Sequence, residues 1–161
     1  MNLKKSDELA LSVETILQQL FARIRAVADD ADLHHIGATS IPGALTKGDV
    51  DVLLHVSRDR FATTVRSLKA EFAIKQPENW TSDFASFGDD ATYELPIGIQ
   101  VTVKDSANDV FLFLRDYLVE HPDVLNAYNR LKQDSYDKEP QLYWQAKDEF
   151  FSRILAQRTR R

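Results

Sequence analysis

Apolar residues recur at helical spacing over the first thirty positions: Leu9, Val13, Ile16, Leu17, Leu20, Phe21, Ile24 and Val27. This pattern predicts an amphipathic helix over residues 6–28, capped by Ser6 or Asp7 and ended by the acidic run Asp29 to Asp32. The period then changes. Leu33 to Ile36 reads as a short strand entering Gly37, and Val50 to Val56 is β-branched, apolar and short, as a buried strand should be. Ser57 and Asp59 open a second helix to about Ala70, with Phe61, Val65 and Leu68 as its stripe. Short runs at 72–74, 84–87, 92–95 and 97–103, separated by turn residues, predict antiparallel sheet, with Gly88 to Asp90 as a hairpin turn and Pro96 as a bend. The last third is helical: residues 110–120 behind Asn108 or Asp109, then a helix from Pro122 and Asp123 to Ser135. A linker at 136–140 precedes a closing helix over 141–158. The expected architecture is α+β over one domain, residues 1–161: a sheet core at 33–103, a small mixed β-sheet with flanking helices, and a C-terminal helical layer at 108–158.

Composition narrows the partners. The chain has 161 residues, 43% hydrophobic and 28% charged, and a net charge of −5. An acidic balance argues against broad nucleic-acid binding, which rests on phosphate neutralisation. The absence of cysteine excludes disulfides, thiol nucleophiles and thiolate metal sites and is compatible with a cytoplasmic location. Neither a signal peptide nor an apolar run of the roughly 20 residues needed to span a membrane is evident.

The chemistry concentrates between residues 36 and 52. Asp49 and Asp51 form an Asp-x-Asp pair in a Val-rich run, so in a strand both carboxylates share one face. Two hard oxygen donors so placed suit Mg²⁺ or Mn²⁺. The small-residue turn Gly37, Ala38, Thr39 and Ser40 begins about a dozen residues upstream and can present backbone N–H groups to phosphate, though Thr39 and Ser40 also suit plain capping of a short turn. An acid flanked by Val50, Val52, Leu53 and Leu54 needs a partner or a metal. Gly43 and Gly48 have Walker A spacing, but Asp49-Val50 stands where Lys-Ser/Thr is required.

Lys47, Arg115, Lys132 and Lys147 are candidates for a phosphate clamp. Lys132 and Lys147, taken singly, read as solvated, and Arg115 reads equally well as a salt bridge fixing its helix. Tyr143 and Lys147 share a helix face, which suits a pocket wall or core cover. Trp80, Phe113 and Trp144 read as core or cover. The four histidines do not suggest a metal set, since adjacent His34 and His35 point to opposite faces of a strand. The basic tail Arg153, Arg158, Arg160 and Arg161 complements a helix C-terminus.

Two separated motifs resemble the GrpB family of small bacterial proteins. One is His35 to Gly43 (His-Ile-Gly-Ala-Thr-Ser-Ile-Pro-Gly) with Lys47 and Asp51. The other is Phe113 to Leu118 with His121, Pro122, Tyr128, Leu131, Lys132 and Tyr143 through Lys147. The resemblance implies a nucleotidyltransferase-like fold of the polymerase-β type. Against that wider signature, Gly37-Ala38 departs from Gly-Gly or Gly-Ser, while Asp49 and Asp51 retain the Asp-x-Asp pair. The resemblance also implies a third carboxylate from a neighbouring strand. The expected strand offers only Gln100 and Thr102, leaving Glu94 or Gln100 as possible further metal ligands. The implied function is metal-dependent nucleotidyl transfer or binding of a nucleoside triphosphate or related phosphorylated small molecule, the acceptor being unspecified by the sequence. The alternative is a catalytically inactive module of the same fold that binds a nucleotide, a small anion or a protein partner.

Overall fold

The computed structural model describes residues 2–135 and 138–158. A two-residue strand β1 (Lys4–Lys5) and a 3₁₀ turn at Ser6–Leu9 lead into α1 (Ala10–Arg25), so the first helix is shorter than its periodicity predicts. Ser6 and Asp7 do not cap it. The Ser6 hydroxyl donates to Ile41 O at 2.6 Å and Asp7 accepts from Gly43 N at 3.1 Å, tying the chain start to the loop ahead of the aspartates. There follow β2 (Asp32–Ile36), a 3₁₀ turn (Ala38–Ser40), β3 (Leu45–Thr46), β4 (Val50–Val56) and α2 (Arg58–Lys69). Then come β5 (Ala73–Ile74), β6 (Phe84–Asp89), β7 (Ile97–Val103), α3 (Phe111–Glu120), α4 (Pro122–Ser135) and α5 (Pro140–Arg158). Of the expected linker at 136–140, residues 136 and 137 lie outside the described residues, as do Arg160 and Arg161 of the tail, and Pro140 already belongs to α5.

Five strands form one mixed sheet in the order β2-β4-β7-β6-β5, with β4 and β7 parallel and the other pairs antiparallel. β1 and β3 make a separate two-stranded ladder. Residues 92–95 are not a strand. The Asp89 carboxylate accepts from the backbone N–H groups of Ala91 and Thr92, turning the chain into an irregular loop just after β6. Gly88 consequently lies within β6, opposite Gly98, and not in a hairpin turn. Asn108 and Asp109 do not cap α3 either. Val110 occupies that position without a side-chain cap, and Asp109 accepts from Asp105 N instead.

Strand alternation divides the sheet into two unlike faces. Val50, Val52, Leu54, Val56, Ile97, Ile99 and Val101 pack with Val13, Ile16, Leu20 and Ile24 of α1 and Leu68 of α2 in the main core. The residues between them, Asp51, Leu53 and His55 on β4 and Gly98, Gln100 and Thr102 on β7, face the other way. A second cluster, with Ile41, Ala44, Leu118, Leu125, Tyr128 and Ile154, holds α3, α4 and α5 on that polar side. Among the described residues no helix is long and apolar enough to cross a membrane.

Candidate functional site

A cavity of about 550 Å³ lies between the polar sheet face and the helical layer. Its volume is in the range of small-molecule sites. Asp49 and Asp51 both line it, Asp49 exposed just ahead of β4 and Asp51 within the strand. Asp51 lies deep: water reaches it through the cavity, but protein surrounds most of the carboxylate. Burial foremost, and then Asp49's charge, raise its pKa to about 6 against the opposing charge of Lys147.

Two glycines make room for this carboxylate. A Cβ on Gly37 would sit 2.6 Å from Asp51 Oδ2, and one on Gly98 would collide with Oδ1. Gly37 also has φ of +75°, which strains other residues. The cradle explains why a glycine stands opposite Asp51 on β7 as well as at the start of the 37–40 turn.

That turn divides its residues. Gly37 and Ala38 line the cavity, whereas Thr39 and Ser40 face a shallow groove against α1. Both hydroxyls are engaged in bracing the turn. Ser40 Oγ donates to Gly37 O at 2.6 Å, and Thr39 Oγ1 donates to Asp49 O at 3.2 Å. Thr39 Oγ1 also lies 2.9 Å from His35 Nε2. As the hydroxyl proton goes to Asp49 O, Nε2 supplies the proton of this contact. Burial, then the Arg115 charge, lowers the His35 pKa to about 4, consistent with a neutral ring holding Thr39 and through it the backbone at Asp49.

Three lysines face the acids from separate elements, all lining the cavity: Lys47 ahead of β4, Lys132 on α4 and Lys147 on α5. The expectation that Lys132 and Lys147 are solvated fails, because the helical layer folds over them. Lys132 is 5% exposed, its ammonium donates to Leu45 O and lies 4.0 Å from the Tyr128 ring centroid. Burial foremost, and then the charges of Lys147 and Lys47, lower its pKa to about 7. Burial also lowers the Lys147 pKa, against the attraction of Asp51. Arg115 lines the cavity too, but its Nε pairs with Asp116 at 2.8 Å and its Nη1 donates to His35 O at 3.1 Å, fixing α3 to β2. Arg158 is exposed at the end of α5 and donates to Asp109 O at 2.6 Å.

The candidate third ligands differ in placement. Glu94 is exposed on the 90–96 loop and does not line the cavity, because the chain there is not the strand its alternation suggests. Gln100 does line it, two residues beyond Gly98 on the same face of β7. Its Oε1 is buried with no hydrogen-bond partner, an unsatisfied acceptor beside the acids. The donor set is therefore two carboxylates and one neutral carbonyl, all oxygen, which fits a single Mg²⁺ or Mn²⁺.

Aromatic walls were not legible as such in the sequence. Tyr143 and Trp144 line the cavity with rings 5.6 Å apart, and Trp144 is 48% exposed. Lys47 lies 5.6 Å from the Tyr143 ring and Lys147 5.0 Å from the Trp144 ring. The four-residue spacing of Tyr143 and Lys147 was the available signal, and both indeed face the cavity. Trp80 packs on Phe87, away from it, as cover.

The histidines assemble in part. His34 and His55 lie with Asp32 on the polar face, their ligand atoms within 4.8 Å of one another, which corrects the expectation that no metal-competent group forms around the histidines. Pairing between β2 and β4 brings them together, and spacing along the chain gives no sign of it.

Comparison with known proteins agrees with this architecture. The family model described as GrpB protein matches residues 9–157. A UPF0157 protein of Vibrio cholerae is 29% identical over 98% of this chain and 83% of its own length. The UPF0157 protein YqkA of Bacillus subtilis is 30% identical over 73% of this chain, but only 36% of its own length is covered. Among solved structures, GrpB from Enterococcus faecalis superposes with a TM-score of 0.66 at 19% identity, covering 88% of each chain. The Cid1 poly(U) polymerase with MgGTP bound gives a TM-score of 0.51 at 16% identity over 76% of this chain, which spans 41% of that one. At such identities the likeness is one of fold. The chain therefore belongs to the GrpB family and carries a nucleotidyltransferase-like fold.

Proposed function

We propose that the cavity binds a nucleoside triphosphate, or a related phosphorylated small molecule, together with one Mg²⁺ or Mn²⁺. The observation that carries this reading is the facing of three lysines, from three separate elements, against Asp49 and Asp51. The charges of Lys147 and Lys47 bear on Lys132 and lower its pKa, so positive groups are held close together beside the acids. A polyanion between them relieves the repulsion, and a divalent cation relieves that between the two acids.

In this reading Asp49 and Asp51 hold the metal, with Gln100 Oε1 facing the same space. Gly37 and Ala38 offer backbone to the phosphates, and Lys47, Lys132 and Lys147 contribute positive charge. Arg115 keeps α3 against β2 and so keeps the helical wall in place. Trp144 and Tyr143 supply faces on which a base can stack. When bound, the metal neutralises phosphate charge and polarises the α-phosphorus toward an acceptor hydroxyl, the basis of nucleotidyl transfer.

A second reading, binding without transfer, is favoured by one observation: β7 presents Gln100 where a third carboxylate would add the charge for a second metal. The two readings share a site and differ in turnover. A thermal-shift series with nucleoside triphosphates, with Mg²⁺ or with EDTA, tests the shared part. A metal-dependent rise in Tm that disappears in Asp49→Asn/Asp51→Asn is expected, because a ligand of the native state stabilises by mass action. Equal shifts with EDTA and in the double variant contradict it. Transfer of labelled nucleotide to any acceptor then decides for the enzyme reading.

A further inference from the structure

The sheet face that carries Asp51 bears a second polar group at its other end. Asp32 and His34 are two apart on β2 and so project from one side, and His55 stands opposite Asp32 on β4. A carboxylate oxygen and one nitrogen from each imidazole lie within 4.8 Å of one another. The rings of His34 and His55 meet edge-on at 6.1 Å. His55 lies four residues beyond Asp51, roughly 13 Å along the strand at the usual rise. The group is therefore distinct from the aspartate pair.

We propose that Asp32, His34 and His55 form a binding site for a divalent transition metal of the Zn²⁺ type, with Asp109 orienting His55. Two imidazoles and a carboxylate are the donors such ions favour, and three protein ligands leave a position open. Asp109 Oδ2 lies 2.8 Å from His55 Nε2, which leaves Nδ1 of that ring for the metal. A carboxylate behind a ligating imidazole fixes its tautomer and orientation. Asp109 is itself held, accepting from Asp105 N at 2.8 Å while its carbonyl accepts from Arg158. Thr102, level with His55 on β7, is fully buried with an unpartnered hydroxyl, so this end of the face has polar capacity that the protein leaves unfilled.

One group competes. Lys104 Nζ lies 2.6 Å from Asp32 Oδ2, but the two side chains are 42% and 56% exposed. Such a screened pair yields to a divalent ion at small cost. A bound ion would tie edge strand β2 to β4 and, through Asp109, to the segment leading into α3.

Cobalt(II) titration of the untagged, EDTA-stripped full chain, followed by visible absorption and paired with a Zn²⁺ thermal shift, tests the assignment. Binding of about one Co²⁺ per chain with a ligand-field band displaced by Zn²⁺ is expected. The band should vanish in His34→Gln and in His55→Gln and persist in Asp51→Asn. Lys104→Ala should tighten Co²⁺ binding several-fold by freeing Asp32, a gain that no folding defect imitates. Absence of a band at saturating Co²⁺, a band that survives both histidine variants, one lost in Asp51→Asn, or weaker binding by Lys104→Ala overturns the proposal.

Discussion

The two faces of the central sheet are built from the same strands and follow opposite rules. Toward α1 and α2, β4 and β7 show only aliphatic side chains, each essentially inaccessible to water. Toward α3, α4 and α5 the same strands show Asp51, His55, Gln100 and Thr102, and both Gln100 Oε1 and Thr102 Oγ1 are buried without a hydrogen-bond partner. The first face lowers the free energy of folding by removing apolar surface from water. The second raises it, because buried polar groups without partners and buried charges are costly. The sheet stabilises on one side and carries an electrostatic cost on the other, and the difference in sign makes the comparison testable.

The largest effect lies on the apolar face. Leu54 is fully buried in the main core, so Leu54→Ala should destabilise by about 2–5 kcal/mol, read as a fall in denaturant midpoint without a change in slope. On the other face Asp51→Asn should act oppositely. Its folded pKa of about 6 lies above the ordinary aspartate value of 3.8, so its ionisation disfavours the native state. That penalty is absent below pH 3.8, grows between 3.8 and 6, and is complete above 6. Removing it should stabilise the protein by up to ~3 kcal/mol at pH 8, with the gain shrinking as pH falls through this window. The variant should simultaneously lose metal-dependent nucleotide binding. Destabilisation at pH 8 would show that Asp51 is a structural acid.

Lys132→Met should weaken nucleotide binding by about tenfold or more, the loss of roughly 1.4 kcal/mol or more, as measured by calorimetry. For the wild type, Mg²⁺-dependent affinity should fall below about pH 6 as Asp51 takes up a proton. It should also fall well above pH 7 as Lys132 loses one. Affinity flat from pH 5 to 8 would dissociate Asp51 from binding. Gly98→Ala should leave the fold within about 1–2 kcal/mol of the wild type yet lower metal-dependent binding, since its Cβ displaces the Asp51 carboxylate from the cradle. Gln100→Glu should have the smallest effect on stability and tighten Mg²⁺ binding, seen as a lower Mg²⁺ requirement for nucleotide binding.

Elements with strong local signals were legible in the sequence. Val50 to Val56 and Ile97 to Val103 are strands over their predicted spans, and Pro122 marks the start of α4. The strict alternation of Ile97-Gly-Ile-Gln-Val-Thr-Val contained the two-faced sheet, one side aliphatic and one not. Where local pattern failed, a longer-range contact or turn prevailed. Thr92 to Leu95 alternate like a strand, but Asp89 binds the backbone of Ala91 and Thr92 and bends the chain. Ser6 looks like a cap and serves as a tie to Ile41.

The candidate site divides similarly. Asp49, Asp51, Gly37 and Ala38 are close in sequence, and the structure brings them to one cavity. The burial of Lys132 and Lys147 depends on how three helices dock over the sheet, which no local window contains. The meeting of Asp32, His34 and His55 depends on strand register, and the role of Gly98 on its being level with Asp51 across a parallel pair.

The central claim is that the polar face exists to hold a metal and a phosphorylated ligand together. Electron paramagnetic resonance of Mn²⁺ titrated into the protein with a nucleoside triphosphate tests it most directly, with Asp51→Asn and Lys132→Met alongside. The account predicts a protein-bound Mn²⁺–nucleotide signal in the wild type that disappears in Asp51→Asn and needs higher nucleotide in Lys132→Met. The same bound signal in Asp51→Asn, or none in the wild type with any nucleoside triphosphate, would contradict it.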